Sequence, residues 1–505
     1  LSDGNPDRSS RDVPVRADAA RAFAFACLGK LLAPFDEFGE RWDINRIIMA
    51  KPPNVLFMIA DDHAARFLGG VTSTQAITPN LSQLAARGTC FTTAMNMGSM
   101  HPAVCAPSRA MLHTGRSLWR TGGDSTADYP LLGQTFRDHG YATFAVGKWH
   151  NGDDAARRSF ADGQLLAGGM MDSTPRGGDA YGRPAPGNAW DPADTARAGH
   201  WLPLKNLAVT AVGDMHPPAY SGPTRHSSEH WADVTIDRLR AHAKREQPFF
   251  GYVAFHAPHD PRQAPPAWLD RFDADSIELP PNIMPRHPLG VANGIRDETL
   301  APYPRSPEAI RLHRKEYFAI LGHLDEQIGR ILGTLRALDL ERETIVVYTA
   351  DHGLSLGEHG LMGKQSLYDH AVRVPLIVAG PGIPAGRRSA VPTLMQAIHP
   401  TLCDLAGIAP ADTVELASLR PELDGTGRSS RDALLLAYEE TQRAVRTDAH
   451  KLIVYPALGQ TELFDMAADP WETRNIAEVP EFAPIRYELE RRLTTLREEY
   501  SDPTL

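Results

Sequence analysis

The chain has 505 residues, 42% of them hydrophobic, enough for one large α/β domain with a smaller companion. Its formal net charge of -10 speaks against a general nucleic-acid binder, which needs a basic face, but leaves room for a local cationic pocket around a small anion. Four cysteines, Cys27, Cys90, Cys105 and Cys403, make no CxxC pair, so neither a zinc knuckle nor a disulfide framework is expected, and no apolar run approaches the roughly 18 residues of a membrane span.

Residues 1–18 are charged and aperiodic, as in a tail or arm. The apolar AFAFACLG at 22–29 is a poor export signal and suits a helix packed on the body; a soluble protein is expected, its compartment open between cytoplasm and periplasm or exterior. The core starts at NVLFMIADDH, 54–63, a buried strand ending in acids. In TPNLSQLAARG, 78–88, Thr78 is placed to cap a helix, Pro79 to open it and Gly88 to stop it. A helix is expected from Pro107 or Ser108. YATFAVGKWH (141–150), PFFGYVAFHAPH (248–259), ETIVVYTADHG (343–353) and VPLIVAG (374–380) are further strands. Between 151 and 230 the pattern fades into Gly, Pro, Ala, Asp and Arg, a long irregular stretch of the kind that carries function or stays disordered. Helical spacing returns over 306–338 and near 391–406. Residues 408–432 look like a linker or a surface crossing, 444–455 and 461–466 like two strands, and 481–499 like a helix. Apolar strands alternating with helices imply an α/β fold with a mostly parallel sheet flanked by helices on both faces, ligands lying beyond the strands' carboxyl ends. The expected boundaries are an N-terminal extension at 1–50, a catalytic domain at 51–407 and a smaller α+β domain at 408–505.

Polar clusters stand at four of these strand ends: 61–63, 148–150, 256–259 and 351–352. A buried core does not need them. Asp61, Asp62, Asp351 and His352 form two acidic groups far apart in sequence; adjacent carboxylates stay ionised together only beside a cation, and oxygen ligands suit Ca²⁺ or Mg²⁺. An Asp-Asp pair by itself is as often a strand-end turn. Lys148, His150, His256, His259 and Lys364 add cations or near-neutral bases, and with Arg109 they would suit a small tetrahedral oxyanion. Cys105, in CAPSRAMLHTG, faces an expected helix N-terminus that favours a thiolate. A soft thiolate is nevertheless a poor neighbour for a hard dication, so the residues alone leave its role open.

CAPSRAMLHTG resembles the signature of the type I sulfatases, C-x-P-S-R followed by T-G. IADD, GKWH, HAPH, TADHG, HGLMGK and the ELFDMAADPWETRN at 462–475 are similar to that family's other blocks, in the same order, over roughly 50–480. The resemblance implies an alkaline phosphatase-like fold, with a large mostly parallel central sheet and a smaller C-terminal domain. It also implies a sulfuric ester hydrolase whose Cys105 is oxidised by a maturation enzyme to formylglycine, which becomes a hydrated diol. Ser108 would serve recognition by that enzyme. Asp61, Asp62, Asp351, His352 and the diol at position 105 would hold the ion, usually Ca²⁺, with Mg²⁺ as the alternative. Arg109 would steady the diol, and Lys148 and Lys364 would bind sulfate oxygens. His150 would take the second hydroxyl's proton, and His259 would assist the leaving oxygen, with His256 behind it. One diol oxygen would attack sulfur and the other would expel sulfate.

A phosphonate monoester or phosphodiester hydrolase using the same nucleophile is the rival within that superfamily. For the substrate, Trp190, Trp201, His216, Arg225, His226, His230 and Trp231 in the irregular stretch suit a sulfated saccharide, by stacking and ion pairing. An aryl or alkyl sulfate, choline sulfate included, is the alternative.

Overall fold

The computed structural model describes residues 51–121, 126, 128–166, 200–202, 209–212, 225–290, 294–428 and 431–503. The expected arm at 1–18 and helix at 22–29 lie outside them, as do Trp190 and His216.

Ten strands form the main sheet: β1 (Asn54–Asp61), β2 (Gly88–Met95), β4 (Ala142–Lys148), β5 (Asp162–Leu166), β7 (Val209–Val212), β9 (Phe249–Pro258), β10 (Thr344–Ala350), β11 (Arg373–Ala379), β12 (Arg387–Ser389) and β13 (Thr393–Leu394). Their order is β12-β2-β11-β10-β1-β9-β4-β5-β7, with β13 also on β2. β10, β1, β9, β4 and β5 are mutually parallel. Only β11 and β7 run against the rest, so the mostly parallel sheet stands. The centre of the sheet is apolar on both faces because helices cover both, and every residue of β1 is buried. Its Leu56, Phe57, Met58 and Ile59 contribute roughly 1.5–3 kcal/mol each by burial.

The stretch 306–338, expected as one helix or two, is a single helix, Pro307–Ala337, capped by Ser306 with Pro307 at its first position. The helix Pro79–Ala86 departs from its expected signals. Thr78 makes no side-chain cap; its hydroxyl instead accepts from Gly69 N, and the Asp325 carboxylate of the long helix takes the N–H groups of Asn80 and Leu81. Gly88 is no helix stop either. It opens β2, where a Cβ would come within 2.2 Å of the Val378 carbonyl of β11. Pro375 sits inside β11 without an N–H, and the pairing with β2 slips there between Val374 and Leu376.

A second sheet has the order β17-β16-β15-β14-β3, formed by β3 (Gly98–Ser99), β14 (Ala433–Tyr438), β15 (Gln442–Thr447), β16 (His450–Tyr455) and β17 (Gln460–Asp465). The single strand expected over 444–455 is a hairpin, β15 and β16, and β14 lies just past the expected linker. The helix Ala483–Glu499 packs on this sheet through Leu489, Leu493 and Leu496. Two short strands, β6 (Trp201–Leu202) and β8 (Arg225–His226), pair with each other. No described helix is long and apolar enough to cross a membrane.

Candidate active site

β1, β4, β9 and β10 deliver their polar ends to one edge. Asp61 ends β1 and Asp62 follows with a left-handed backbone, φ 70°. Lys148 ends β4; Gly147 before it has φ 94°, and a Cβ there would strike the Ala254 carbonyl of β9, so only glycine lets β4 close on β9 at this point. His150 is also left-handed, φ 71°. Asp351 and His352 follow β10, and His259 follows β9. The helix Cys105–Thr114 begins at Cys105 itself, two or three residues earlier than expected, so the cysteine sits in its first turn and Arg109 one turn on. Lys364 arrives from the loop after His352.

All of these side chains except His150, which keeps part of its surface, are buried. Lys148 Nζ donates to Asp61 Oδ2. Lys364 Nζ donates to Asp62 Oδ1 at 2.8 Å and lies 3.0 Å from His259 Nε2. Arg109 donates from Nε to Asp351 Oδ2 at 3.0 Å, and from Nη1 to the Lys148 carbonyl and Tyr252 hydroxyl. His352 Nδ1 is 3.0 Å from Asp62 Oδ1. The structure thus brings Cys105, Arg109, Lys148, His259, Lys364 and the three aspartates into one cluster with His352. His256 stands behind it, stacked at 6.2 Å on Trp231.

One ligand atom each from Asp61, Cys105, Asp351 and His352 lie within 4.8 Å of one another; Asp61, Asp62 and His259 form an overlapping group. Asp61 Oδ1 and His352 Nε2 are buried with no hydrogen-bond partner. Orphaned buried atoms of this kind are costly unless a ligand meets them. The buried acidic group can therefore hold a metal ion, and its carboxylate oxygens suit a hard dication. The Cys105 sulfur does not, and an oxygen at that position would.

The sulfatase family profile matches residues 53–408, and the profile described as N-sulphoglucosamine sulphohydrolase, C-terminal, matches 357–499. The chain belongs to the sulfatase family. This sulfatase is 30% identical to the choline-sulfatase of Rhizobium meliloti, across 85% of its own length and 83% of that protein's. Its fold is similar to that of BT4656, solved in complex with its substrate D-glucosamine-2-N,6-O-disulfate, with a TM-score of 0.70 at 23% identity over 90% of this chain and 99% of that one. The phosphonate monoester hydrolase of Silicibacter pomeroyi gives 0.69 at 23% identity, over 90% and 96%. The sulfatase accordingly has the alkaline phosphatase-like fold and is an enzyme of sulfate-ester hydrolysis.

Its site is strongly polarised. Burial pushes the Cys105 thiol up, but Lys148, Lys364 and the rings of His150 and His352 outweigh that and hold it well below the usual thiol range. Burial likewise raises Asp62, and His259, Lys364 and His352 bring it down below the carboxylate range. Asp351 goes the other way, raised by burial and then by the Asp61 charge.

Several groups support the site in the sulfatase in ways the sequence did not signal. Asn96 and Ser108 both donate to the Asp351 carbonyl, at 3.2 and 2.6 Å, so the signature serine also fixes a site residue. Tyr317 donates to the Asp62 carbonyl at 2.6 Å, and His200 Nε2 meets the His259 carbonyl at 2.9 Å. Of the residues expected to face substrate, Trp231 and His226 are instead buried, Trp231 in the main core. Arg225 is tied to Asp233 at 2.7 Å and His230 to Gln164 at 3.0 Å. Trp201 keeps part of its surface.

Proposed function

We propose that this sulfatase desulfates a sulfated saccharide, with Cys105 matured to formylglycine and Ca²⁺ in the carboxylate cluster. The observation that carries the nucleophile and its ion is the placement of Cys105 among Asp61, Asp351 and His352, where an oxygen fits and a sulfur does not. The hydrated formylglycine would supply an oxygen nucleophile, and a bound dication would offset the charge that develops on the sulfate. Asp61, Asp62, Asp351 and His352 hold the ion. Arg109, fixed through Asp351 and Tyr252, orients the group at 105. Lys148 and Lys364, which here neutralise Asp61 and Asp62, would bind the sulfate oxygens. His150 takes a proton at the group on 105, and His259 gives one to the departing alcohol. We assign these steps to a catalytic domain at 51–407, with 408–505 as the smaller domain.

The saccharide is supported by BT4656 and by the C-terminal profile rather than by the loop aromatics. A second reading, a small alkyl or choline sulfate, draws on the choline-sulfatase likeness over most of the chain. Sulfate release from a panel of sulfated mono- and oligosaccharides, aryl sulfates, choline sulfate and an aryl phosphonate separates them. The saccharide reading predicts the highest kcat/KM on a sugar. A preference for choline sulfate or for the phosphonate overturns it.

A further inference from the structure

A second cationic cavity lies away from Cys105. Its volume is about 540 Å³, and Arg66, Arg314 and Arg373 line it with the 70–75 turn and Trp471. The arginines come from three segments: the turn after β1, the long helix, and the start of β11. Trp471 from the C-terminal part covers Arg66, whose guanidinium carbon is 4.1 Å from the ring centroid.

These guanidiniums are short of acceptors. Arg66 donates one hydrogen bond, from Nη2 to the Pro470 carbonyl at 2.6 Å, and Arg314 one, from Nε to the Leu356 carbonyl at 3.0 Å. Arg66 Nε, Arg314 Nη2 and Arg373 Nε are buried without an acceptor. Two of them lie near one carboxylate, Glu358, at 3.3 and 3.8 Å, outside hydrogen-bond geometry. Glu358 also faces His370 at 3.7 Å. Among the described residues Arg373 has Asp369 Oδ2 at 3.5 Å, too far for a hydrogen bond, while Lys451 takes Asp369 Oδ1 at 2.7 Å. Glu472 serves Lys451 as well, Arg446 adds a further cation beside Asp369, and Glu278 is exposed. One nitrogen of each guanidinium is thus left buried without an acceptor. Burial pushes Arg314 down to about 10, against the pull of Glu358, as expected of a cation lacking an anion.

We propose that this cavity binds a small tetrahedral oxyanion, sulfate or phosphate, held by Arg66, Arg314 and Arg373. Three cationic forks from different directions match a tetrahedral dianion better than a planar carboxylate. Ser73, whose oxygen already accepts from Gln75 N and Ala76 N, retains its hydroxyl proton to donate. The bound anion would tie the turn after β1 and the start of β11 to the Trp471 segment, whatever substrate the sulfatase takes.

Crystals of the full chain soaked in selenate test this by anomalous scattering. The expected result is a selenium peak in contact with Arg314 and Arg373, separate from any peak at Cys105. Calorimetry at fixed ionic strength then compares inorganic sulfate with inorganic phosphate; the tighter one names the physiological source. Arg373→Gln should weaken binding to this cavity at least about tenfold, as expected for loss of a charge-assisted pair, and remove its selenium peak while leaving a peak at Cys105. If Arg373→Gln does not fold, Arg373→Lys, which keeps the charge and loses the fork, should lower the occupancy. A wild-type crystal with selenate at Cys105 and none in the cavity, or a cavity peak unchanged in the variant that folds, overturns the proposal.

Discussion

Two buried lysines, Lys148 and Lys451, meet their carboxylates in different company. Lys451 donates to Asp369 at 2.7 Å and to Glu472 at 2.6 Å, and Glu472 in turn accepts from Asp369 N, so the chain's own groups take both Glu472 oxygens and leave one Asp369 oxygen, Oδ2, 3.5 Å from Arg373. Lys148 pairs with Asp61, but the cluster around it leaves Asp61 Oδ1, His352 Nε2 and Arg109 Nη2 without partners. Both regions hide charge from water at a large desolvation cost. One recovers that cost within the fold, where it joins β16 to the 369–372 turn. The other leaves buried valences open, which the proposed function fills with an ion and a substrate.

The contrast breaks most sharply at Cys105. Cys105→Ala should lower turnover on the order of 10⁴-fold or more, the scale of losing a nucleophile, with little change in melting temperature. Intact mass of active enzyme should show position 105 converted; full activity with an unmodified thiol would sink the proposed nucleophile. Next in size is the ion. Chelation should abolish activity, with recovery on adding Ca²⁺ and less on adding Mg²⁺, and Asp351→Ala should not recover; activity that persists after verified metal removal excludes the site as proposed.

The Lys451 cluster should respond in the opposite currency. Lys451→Met leaves Asp369 and Glu472 facing each other, and should cost about 3–5 kcal/mol in denaturant unfolding, while kcat of the folded fraction holds. A variant as stable as the parent would show that the network is not what joins these segments.

A smaller effect comes from two buried neutral histidines on the helices behind the site. Burial holds His399 down to about 4 and, with the Arg109 charge, His113 down to about 3. The unfolded chain protonates them near 6.5, so their contribution is intact above that pH and is lost as pH falls towards 4. His399 accounts for about 3 kcal/mol of this. His399→Asn, whose amide can still donate to the His113 carbonyl, should flatten the melting temperature between pH 4 and 6.5. The smallest expected effect is at Trp201: Trp201→Ala should lower kcat/KM on a sulfated sugar severalfold, about the worth of one aromatic contact, and leave an aryl sulfate unchanged.

Much of this protein was legible one residue at a time. The apolar runs before Asp61, Lys148, His256 and Asp351 marked four parallel strands, and their polar ends marked the edge where chemistry stands. Local pattern suffices there, because a strand buried on both faces admits only apolar residues and must change character where it leaves the sheet. The same logic put Thr78 and Gly88 at the two ends of the right helix but gave them the wrong bonds. Both have good helix-end chemistry, but Asp325 and the Val378 carbonyl, each more than 200 residues away, decided what they do.

What the sequence by itself determined was the family, the order of the blocks and which residues to propose for the site, since each is a short stretch of fixed chemistry. Only the tertiary structure decided that Trp231 and His226 face inward, that Ser108 and Asn96 share the Asp351 carbonyl, and that Arg66, Arg314 and Arg373 crowd one cavity with too few carboxylates. Those facts depend on which buried groups meet across the sheet and on whether their charges and hydrogen bonds balance. That balance is a property of contacts between distant segments, and no local pattern of residue types encodes it.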